Sequence, residues 1–197
     1  ALNELESFSY SVSHDLRAPL RAIEGYSAIL GSDYGDNLDD EAKELLRRVR
    51  AAVHRMGQLI DDLLTLSRVS RKALERRPVD LTTLALVICE ELRQQDPARP
   101  VSVDIAPGLC VEGDPSLMRT VLENLLGNAW KFTRPTRGAT IRFGRQLDKD
   151  ETVYFVADNG VGFNLAEAHK LFAPFQRFHS AAEFEGSGIG LATVHRI

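Results

Sequence analysis

The first third of the chain alternates apolar and polar residues with the three-and-four spacing of an amphipathic helix. Its apolar positions are Leu5, Phe8, Val12, Leu16, Pro19, Ile23, Tyr26 and Leu30. The rhythm stops at the turn-like stretch 31–37 and resumes with Ala42, Leu45, Val49, Ala52, Met56, Leu59, Leu63 and Leu66. A heptad seam sustained over several turns predicts two long helices that form an antiparallel hairpin.

A single hairpin leaves half of such a seam uncovered. Two hairpins that associate into a four-helix bundle would bury it, so we expect a homodimer through this region. A bundle completed within one chain is the alternative, but the sequence offers no further heptad segment to complete it.

The helical rhythm is lost in the basic stretch 70–78, and we expect a hinge over 71–78. We place the hairpin domain at 1–76 and a second domain at 77–197. Asp80 is predicted to cap a helix with apolar positions Leu81, Leu84, Ile88 and Leu92, and Asp114-Pro115 to begin a helix that ends near Phe132. Strands are predicted over 101–105, 109–111, 140–147 and 152–157, with a last helix from about Ile189. This order predicts an α/β sandwich with helices on one side of a mixed sheet.

Composition narrows the class of protein. The 197 residues carry a net charge of −4 and no basic block, which argues against nucleic acid as a partner. The isolated Cys89 and Cys110 fit a reduced, cytoplasmic setting rather than a disulfide framework. No apolar run approaches the ~18 residues of a membrane span, and no signal peptide is recognisable, so we expect no membrane contact from this segment. The chain starts within a helical pattern and stops soon after a glycine motif, so we expect it to belong to a longer protein.

His14 is the candidate nucleophile. It lies off the seam between Val12 and Leu16, so we expect its side chain to face solvent. Pro19 cannot donate to the carbonyl of Asp15 and is predicted to bend the helix there. Imidazole is nucleophilic when neutral, and Asp15 is a candidate to orient the ring or accept its proton. Adjacent helical residues do not normally face each other, and a solvated histidine is the plainer interpretation of this pair taken alone.

Asn124 and Asn128 share one face of the helix that is predicted to end near Phe132, with Lys131 almost on that face. Asparagine is a poor helix former, so two in register indicate ligand contacts rather than helix stability. An amide oxygen suits Mg²⁺, and a lysine neutralises phosphate. The alternative is an ordinary solvated helix face.

Two glycine-rich segments follow. Residues 158–163 come directly after a predicted strand, and the Asp158 carboxylate is suited to accept a hydrogen bond from the amine of adenine. Residues 186–191 open the last helix, where backbone N–H groups bind phosphate. Taken alone, the first segment is better explained as a plain turn; the second, taken alone, is weak evidence for a phosphate site and is not a Walker loop.

Residues 8–20 resemble the H-box of sensor histidine kinases, in the variant most like kinases linked to phytochrome or PAS sensors. The asparagine helix, the 158–163 segment, Phe172 with Phe175, and the 186–191 segment are similar, in this order, to the N, G1, F and G2 boxes of the kinase ATP domain. The resemblance implies a Bergerat-type ATP-binding fold and a kinase that autophosphorylates His14. It also implies transfer to an aspartate of a response-regulator receiver domain and a sensor domain upstream.

The resemblance also implies roles for single residues. Asn128 would bind Mg²⁺, Asn124 would contact ATP, Lys131 would contact phosphate and Asp158 would recognise adenine. The pocket would be shaped and lined by Gly160, Gly162, Gly186, Ser187, Gly188, Gly190, Leu191, Phe132, Leu171 and Arg177. Residues 177–186 would form a short, mobile ATP lid, or else an ordinary surface loop.

The sequence departs from the family pattern at two points. Ala18 stands where related kinases with phosphatase activity have Thr or Asn, so we expect weak phosphatase activity. The family domain continues past the last helix into a pair of strands, and if Ile197 were the true end, a sheet edge would be uncovered and ATP affinity poor. Two other functions stay open: a stand-alone ATPase of the gyrase and mismatch-repair type, for which the H-box is unnecessary, and a non-enzymatic docking module, for which Asn128 and Asp158 are unnecessary.

Overall fold

A computed structural model describes residues 2–68, 74–180 and 183–197, with the side chains of 2–14, 62–63 and 65–68 excepted. The chain divides into two compact units, residues 1–71 with 186–189 and residues 72–185 with 190–197. The predicted hinge over 71–78 lies partly outside the described residues. None of the described helices is both long and apolar enough to cross a membrane.

The first unit contains the predicted helical hairpin. Helix α1 (Leu2–Asp33) and helix α2 (Asp40–Arg68) are joined by a short 3₁₀ turn at Gly35–Asn37. The Asp39 carboxylate accepts a hydrogen bond from the Ala42 backbone at 2.7 Å, which caps the start of α2. Toward the other end, Arg17 and Asp61 form an exposed ion pair at 2.5 Å, so the helices run antiparallel.

The line of contact inside the hairpin corrects the predicted seam. The buried residues are Leu20 and Ser27 of α1 with Val53, Ile60 and Leu64 of α2. None of them is a predicted seam position. The seam residues Leu16, Ile23, Tyr26, Leu30, Leu45, Val49 and Met56 are instead between 40% and 70% exposed. Each helix of a pair meets its neighbour along one narrow stripe, and periodicity alone cannot tell which of two adjacent stripes that is.

The second unit is an α/β layer structure. Its elements are β1 (Arg77–Asp80), α3 (Leu81–Gln95), β2 (Val101–Ile105), β3 (Cys110–Gly113), α4 (Pro115–Phe132), β4 (Ala139–Asp148), β5 (Glu151–Asp158), a 3₁₀ helix (Leu165–Lys170) and α5 (Gly190–Arg196). Both predicted caps are present, because Asp80 accepts from the Thr83 backbone and Asp114 from those of Ser116 and Leu117.

The strands form two sheets rather than the single sheet that we predicted. In the three-stranded sheet, β2 pairs parallel with β4 and β4 pairs antiparallel with β5, so this sheet is mixed as expected. Strands β1 and β3 pair separately and antiparallel. Strand β1 was not predicted, because its four residues include Pro78 and only Val79 is buried. A strand with so few buried side chains forms only because it pairs with β3.

One apolar core joins these layers. Helices α3 and α4 contribute Ile88, Leu122, Leu126 and Trp130, and the segments around the strands contribute Leu109, Ile141 and Phe143. Burial of this face of α4 leaves its asparagine-bearing positions half-buried at the rim of the core. The C-terminal end of α4 and the loop after β5 meet there, since the Val161 backbone donates to the Phe132 carbonyl at 3.2 Å.

Candidate functional site

His14 lies in the first half of α1, five residues before Pro19. Its side chain is outside the described residues, so its predicted orientation stays a prediction. Asp15, Ala18 and Pro19 are all exposed, and α1 continues through Pro19 as one helix. A bend beside His14 likewise stays a prediction.

Asn124 is held from two sides. Its side-chain amide donates to the Thr120 carbonyl at 2.8 Å, one turn earlier on α4. Its oxygen Oδ1 lies so close to Gly190 that a Cβ atom there would overlap it. A glycine at the first position of α5 therefore lets this helix approach the asparagine face of α4.

Asn128, one turn further along α4, is half-buried. Within the ranges that the structure describes, its side chain makes no hydrogen bond. A buried amide is normally hydrogen-bonded, because an unsatisfied polar group loses its solvation. The amide oxygen of Asn128 is thus available for a ligand, and it is the hard oxygen donor that suits Mg²⁺. The described residues hold no cluster of three or more His, Cys, Asp or Glu side chains that would bind a metal by themselves.

Lys131 brings a positive charge to the same end of α4. Its Nζ lies 4.4 Å from the centre of the Phe132 ring. Burial lowers the pKa of Lys131, and the nearby positive charge of Arg177 lowers it further. The guanidinium of Arg177 donates to the Phe184 carbonyl at 2.5 Å, and neither cation forms an ion pair with another described residue. An anion between them would relieve their repulsion, as a phosphate would.

The loop after β5 is locked onto α4 by a glycine. Asp158 is exposed, and its Oδ1 accepts from the Gly160 backbone at 2.8 Å. A Cβ on Gly160 would lie 2.6 Å from the carbonyl oxygen of Phe132 and 2.7 Å from Asp158 Oδ1. Only glycine fits this space, so Asp158, which we predicted to bind adenine, is held next to Gly160, which we predicted to shape the pocket.

The second glycine segment has the backbone that its composition predicts. Gly186 and Gly188 have φ angles of 146° and 75°, which side chains disfavour. The Ser187 hydroxyl accepts from the Ile189 backbone at 3.2 Å. Helix α5 then begins at Gly190, one residue later than predicted, and Leu191 is its second residue.

The remaining predicted lining positions are spread along the segment after the loop. Leu171 is half-buried, while Arg177 is exposed. Phe172 stacks on His195 of α5 with ring centres 5.1 Å apart. Phe175 has a φ of 63° and is exposed, and residues 181–182 of the predicted lid lie outside the described residues. The lid stays a prediction.

Sequence reasoning missed an aromatic cluster at the end of α4. The rings of Phe132, His179 and Phe184 lie within 5.1 to 5.3 Å of one another, and Phe178 contacts Phe163 at 5.6 Å. The signal was present as the run Phe-Gln-Arg-Phe-His at 175–179, which has too many rings for a plain surface loop.

Comparison with known proteins identifies both units. Residues 4–72 match the His Kinase A (phospho-acceptor) domain. Residues 113–197 match the histidine kinase-, DNA gyrase B- and HSP90-like ATPase family. The chain belongs to the sensor histidine kinases. The predicted family membership and the predicted order of helical hairpin and α/β ATPase domain are confirmed.

The relatives include phytochrome-like and other sensor kinases. Cyanobacterial phytochrome A of Nostoc sp. is 31% identical over 98% of this chain and 25% of its own length. The methanogenesis regulatory histidine kinase FilI of Methanothrix harundinacea is 35% identical over 98% of this chain and 22% of its own length. The crystal structure of full-length ShkA in complex with AMPPNP has a TM-score of 0.67 and 25% identity, covering 96% of this chain and 40% of ShkA. The chain therefore spans about a quarter of the length of the first two relatives.

Proposed function

We propose that this chain is the catalytic core of an ATP-dependent protein-histidine kinase that phosphorylates His14. The observation that carries the proposal is the presence, in one chain, of a phospho-acceptor domain and an ATPase domain. A nucleotide site in the second domain is supported by Asn128, which is half-buried and makes no side-chain hydrogen bond to the described residues, and by Lys131 three residues later on α4.

The chemistry assigned to the first domain is nucleophilic attack by His14. A neutral ring nitrogen forms a bond to the γ-phosphorus of ATP, the bond from that phosphorus to the bridging oxygen breaks, and ADP leaves. The proton of the other ring nitrogen passes to Asp15 or to solvent. Phosphoryl transfer of this kind needs positioning and charge neutralisation more than covalent help. The phosphoryl group then passes to an aspartate of a response-regulator receiver domain.

The second domain would hold the nucleotide. Asp158 accepts a hydrogen bond from the exocyclic amine of adenine, while Asn124 and the two glycine segments contact the rest of ATP. Lys131 and Arg177 meet phosphate oxygens. Asn128 would hold Mg²⁺ through its amide oxygen, and the ion would supply further charge neutralisation.

The proposal includes a homodimer formed by the hairpin. Leu16, Ile23 and Leu30 of α1, and Leu45 and Met56 of α2, leave an apolar stripe at least 40% exposed on a single chain. The exposed residues recur at heptad spacing, as the second seam of a four-helix bundle requires. A second copy of the hairpin would cover this stripe. A sensor domain upstream in the full-length protein would set the activity of the dimer.

Incubation with γ-³²P-ATP and Mg²⁺ tests the proposal. We expect acid-labile, alkali-stable label on the wild type and none on His14→Gln. His54→Gln is the matched control, since His54 is an exposed histidine of the same hairpin. Label that persists on His14→Gln would disprove the assignment of the nucleophile. Nucleotide hydrolysis without label would favour a stand-alone ATPase, and neither hydrolysis nor label would favour a docking module.

A further inference from the structure

The loop over residues 158–163 has two halves that are held in different ways. The first half is held by contact, because Gly160 fits against the Phe132 carbonyl and the Val161 backbone donates to the same oxygen. Among the described residues, the second half makes no such contact with α4, and its Phe163 ring lies 5.6 Å from that of Phe178. A Cβ added to Gly162 would meet no atom within 4 Å, although its φ is 64°. Steric fit therefore does not determine where Gly162 lies.

The Gly162 carbonyl is instead bound by a side chain from a later segment. The Nε2 atom of His179 lies 2.9 Å from this oxygen. A carbonyl oxygen can only accept, so His179 donates to it from Nε2.

The His179 ring is itself fixed by two aromatic neighbours. Its centre lies 5.3 Å from that of Phe132, at the end of α4, and 5.2 Å from that of Phe184. Phe132 is also the residue whose carbonyl supports the first half of the loop. His179 thus connects the second half of the loop to the same anchor, the C-terminal end of α4.

We propose that His179 is a positioning residue of the nucleotide site, which holds the Gly162 carbonyl and so orders the 158–163 loop around the base of the nucleotide. The inference rests on the proposed function, because it assigns Asp158 and its loop to adenine. His179 acts through the loop backbone and is not itself a catalytic residue.

Three substitutions separate the hydrogen bond from the ring contacts. His179→Gln keeps an N–H donor at nearly the reach of Nε2 but removes the ring. His179→Phe keeps a ring against Phe132 and removes the donor, and His179→Ala removes both. His169→Phe is the matched control, because this histidine is exposed and its ring nitrogen lies 3.2 Å from the carbonyl oxygen of Ala166, in its own 3₁₀ helix.

Equilibrium binding of a fluorescent ATP analogue to the full chain is the first measurement. Loss of one hydrogen bond corresponds to roughly a 5-fold rise in Kd for His179→Phe. We expect a smaller rise for His179→Gln, roughly a 10-fold or larger rise for His179→Ala, and no change for His169→Phe. In autophosphorylation, KM for ATP should rise by a similar factor while kcat stays within about 2-fold, because the loop binds base and not phosphate.

Hydrogen exchange of the loop amides without nucleotide provides a readout that needs no kinase activity. Amides at 160–163 should exchange faster in His179→Phe than in His179→Gln. A wild type that fails to bind the analogue would refute the proposed function, while the exchange data would still judge the contact of His179 with Gly162. Equal affinity and exchange in wild type and His179→Phe would overturn the inference. The inference would also be overturned if the His179 variants lost affinity for the analogue only in proportion to a fall in their unfolding temperature.

Discussion

Replacing Gly160 with alanine tests how tightly the Asp158 loop is locked to the end of α4. The added Cβ would lie 2.6 Å from the carbonyl oxygen and 2.8 Å from the carbonyl carbon of Phe132. Ordinary non-bonded carbon contacts are about 3.5–4.0 Å, so backbone must move by several tenths of an ångström. Overpacking of this kind costs roughly 1–3 kcal/mol, and loss of the hydrogen bond from Val161 to Phe132 adds about 1 kcal/mol.

The sum is roughly 2–4 kcal/mol, which for a domain of this size lowers Tm by roughly 8–16 °C. Trp130 is the only tryptophan of the chain and is buried in the second unit, so its fluorescence follows the unfolding of that domain. The same displacement should weaken ATP binding, because Asp158 Oδ1 lies 2.7 Å from the added atom.

Gly127→Ala is the matched control on α4. Its Cβ would meet nothing within 4 Å, and alanine in a helix interior stabilises by about 0.5–1 kcal/mol relative to glycine. We expect its Tm to rise by a few degrees. If Gly160→Ala unfolds at or above the wild-type temperature, the close approach of the loop to α4 is wrong.

Three further predictions concern single residues. The Ser116 hydroxyl, with neighbouring backbone N–H groups, holds the pKa of Asp114 well below its usual range. Because this pKa is lower in the folded than in the unfolded state, the ionised carboxylate stabilises the fold. The stabilisation is fully present above about pH 4 and is lost as the pH falls through the folded-state pKa. Urea unfolding should therefore show Asp114→Asn to be less stable than wild type at pH 7, with a difference that shrinks at pH 3 and below; a constant difference would contradict the assignment. Ile23→Glu should convert the proposed homodimer to monomer in sedimentation experiments, whereas Arg21→Glu, a change at an exposed polar position of α1, should not. Asn128→Ala should lower histidine labelling by roughly 100-fold, since charge stabilisation through a metal contributes several kcal/mol, while Tm stays near the wild-type value; a large fall in Tm would show that the amide has a structural role.

The local elements and the chemistry of α4 were predictable from sequence because their signals are local. Heptad spacing indicates long helices wherever the partner lies, and Asp114-Pro115 marks the start of α4 by its own geometry. The shared face of Asn124 and Asn128 follows from helical periodicity alone. The glycine segments were recognisable for the same reason, since a positive φ restricts a residue by itself.

Tertiary structure decided which of these residues meet. Periodicity placed the seam of the hairpin one stripe away from the contact made by Leu20 and Val53. Strand β1 exists through its pairing with β3, and Gly160 is required by a carbonyl on α4 rather than by its own φ. The contact of His179 with Gly162 joins two loops whose sequences do not predict each other. Local preferences act over a few residues, whereas these contacts depend on chain segments brought together only by burial of the common core.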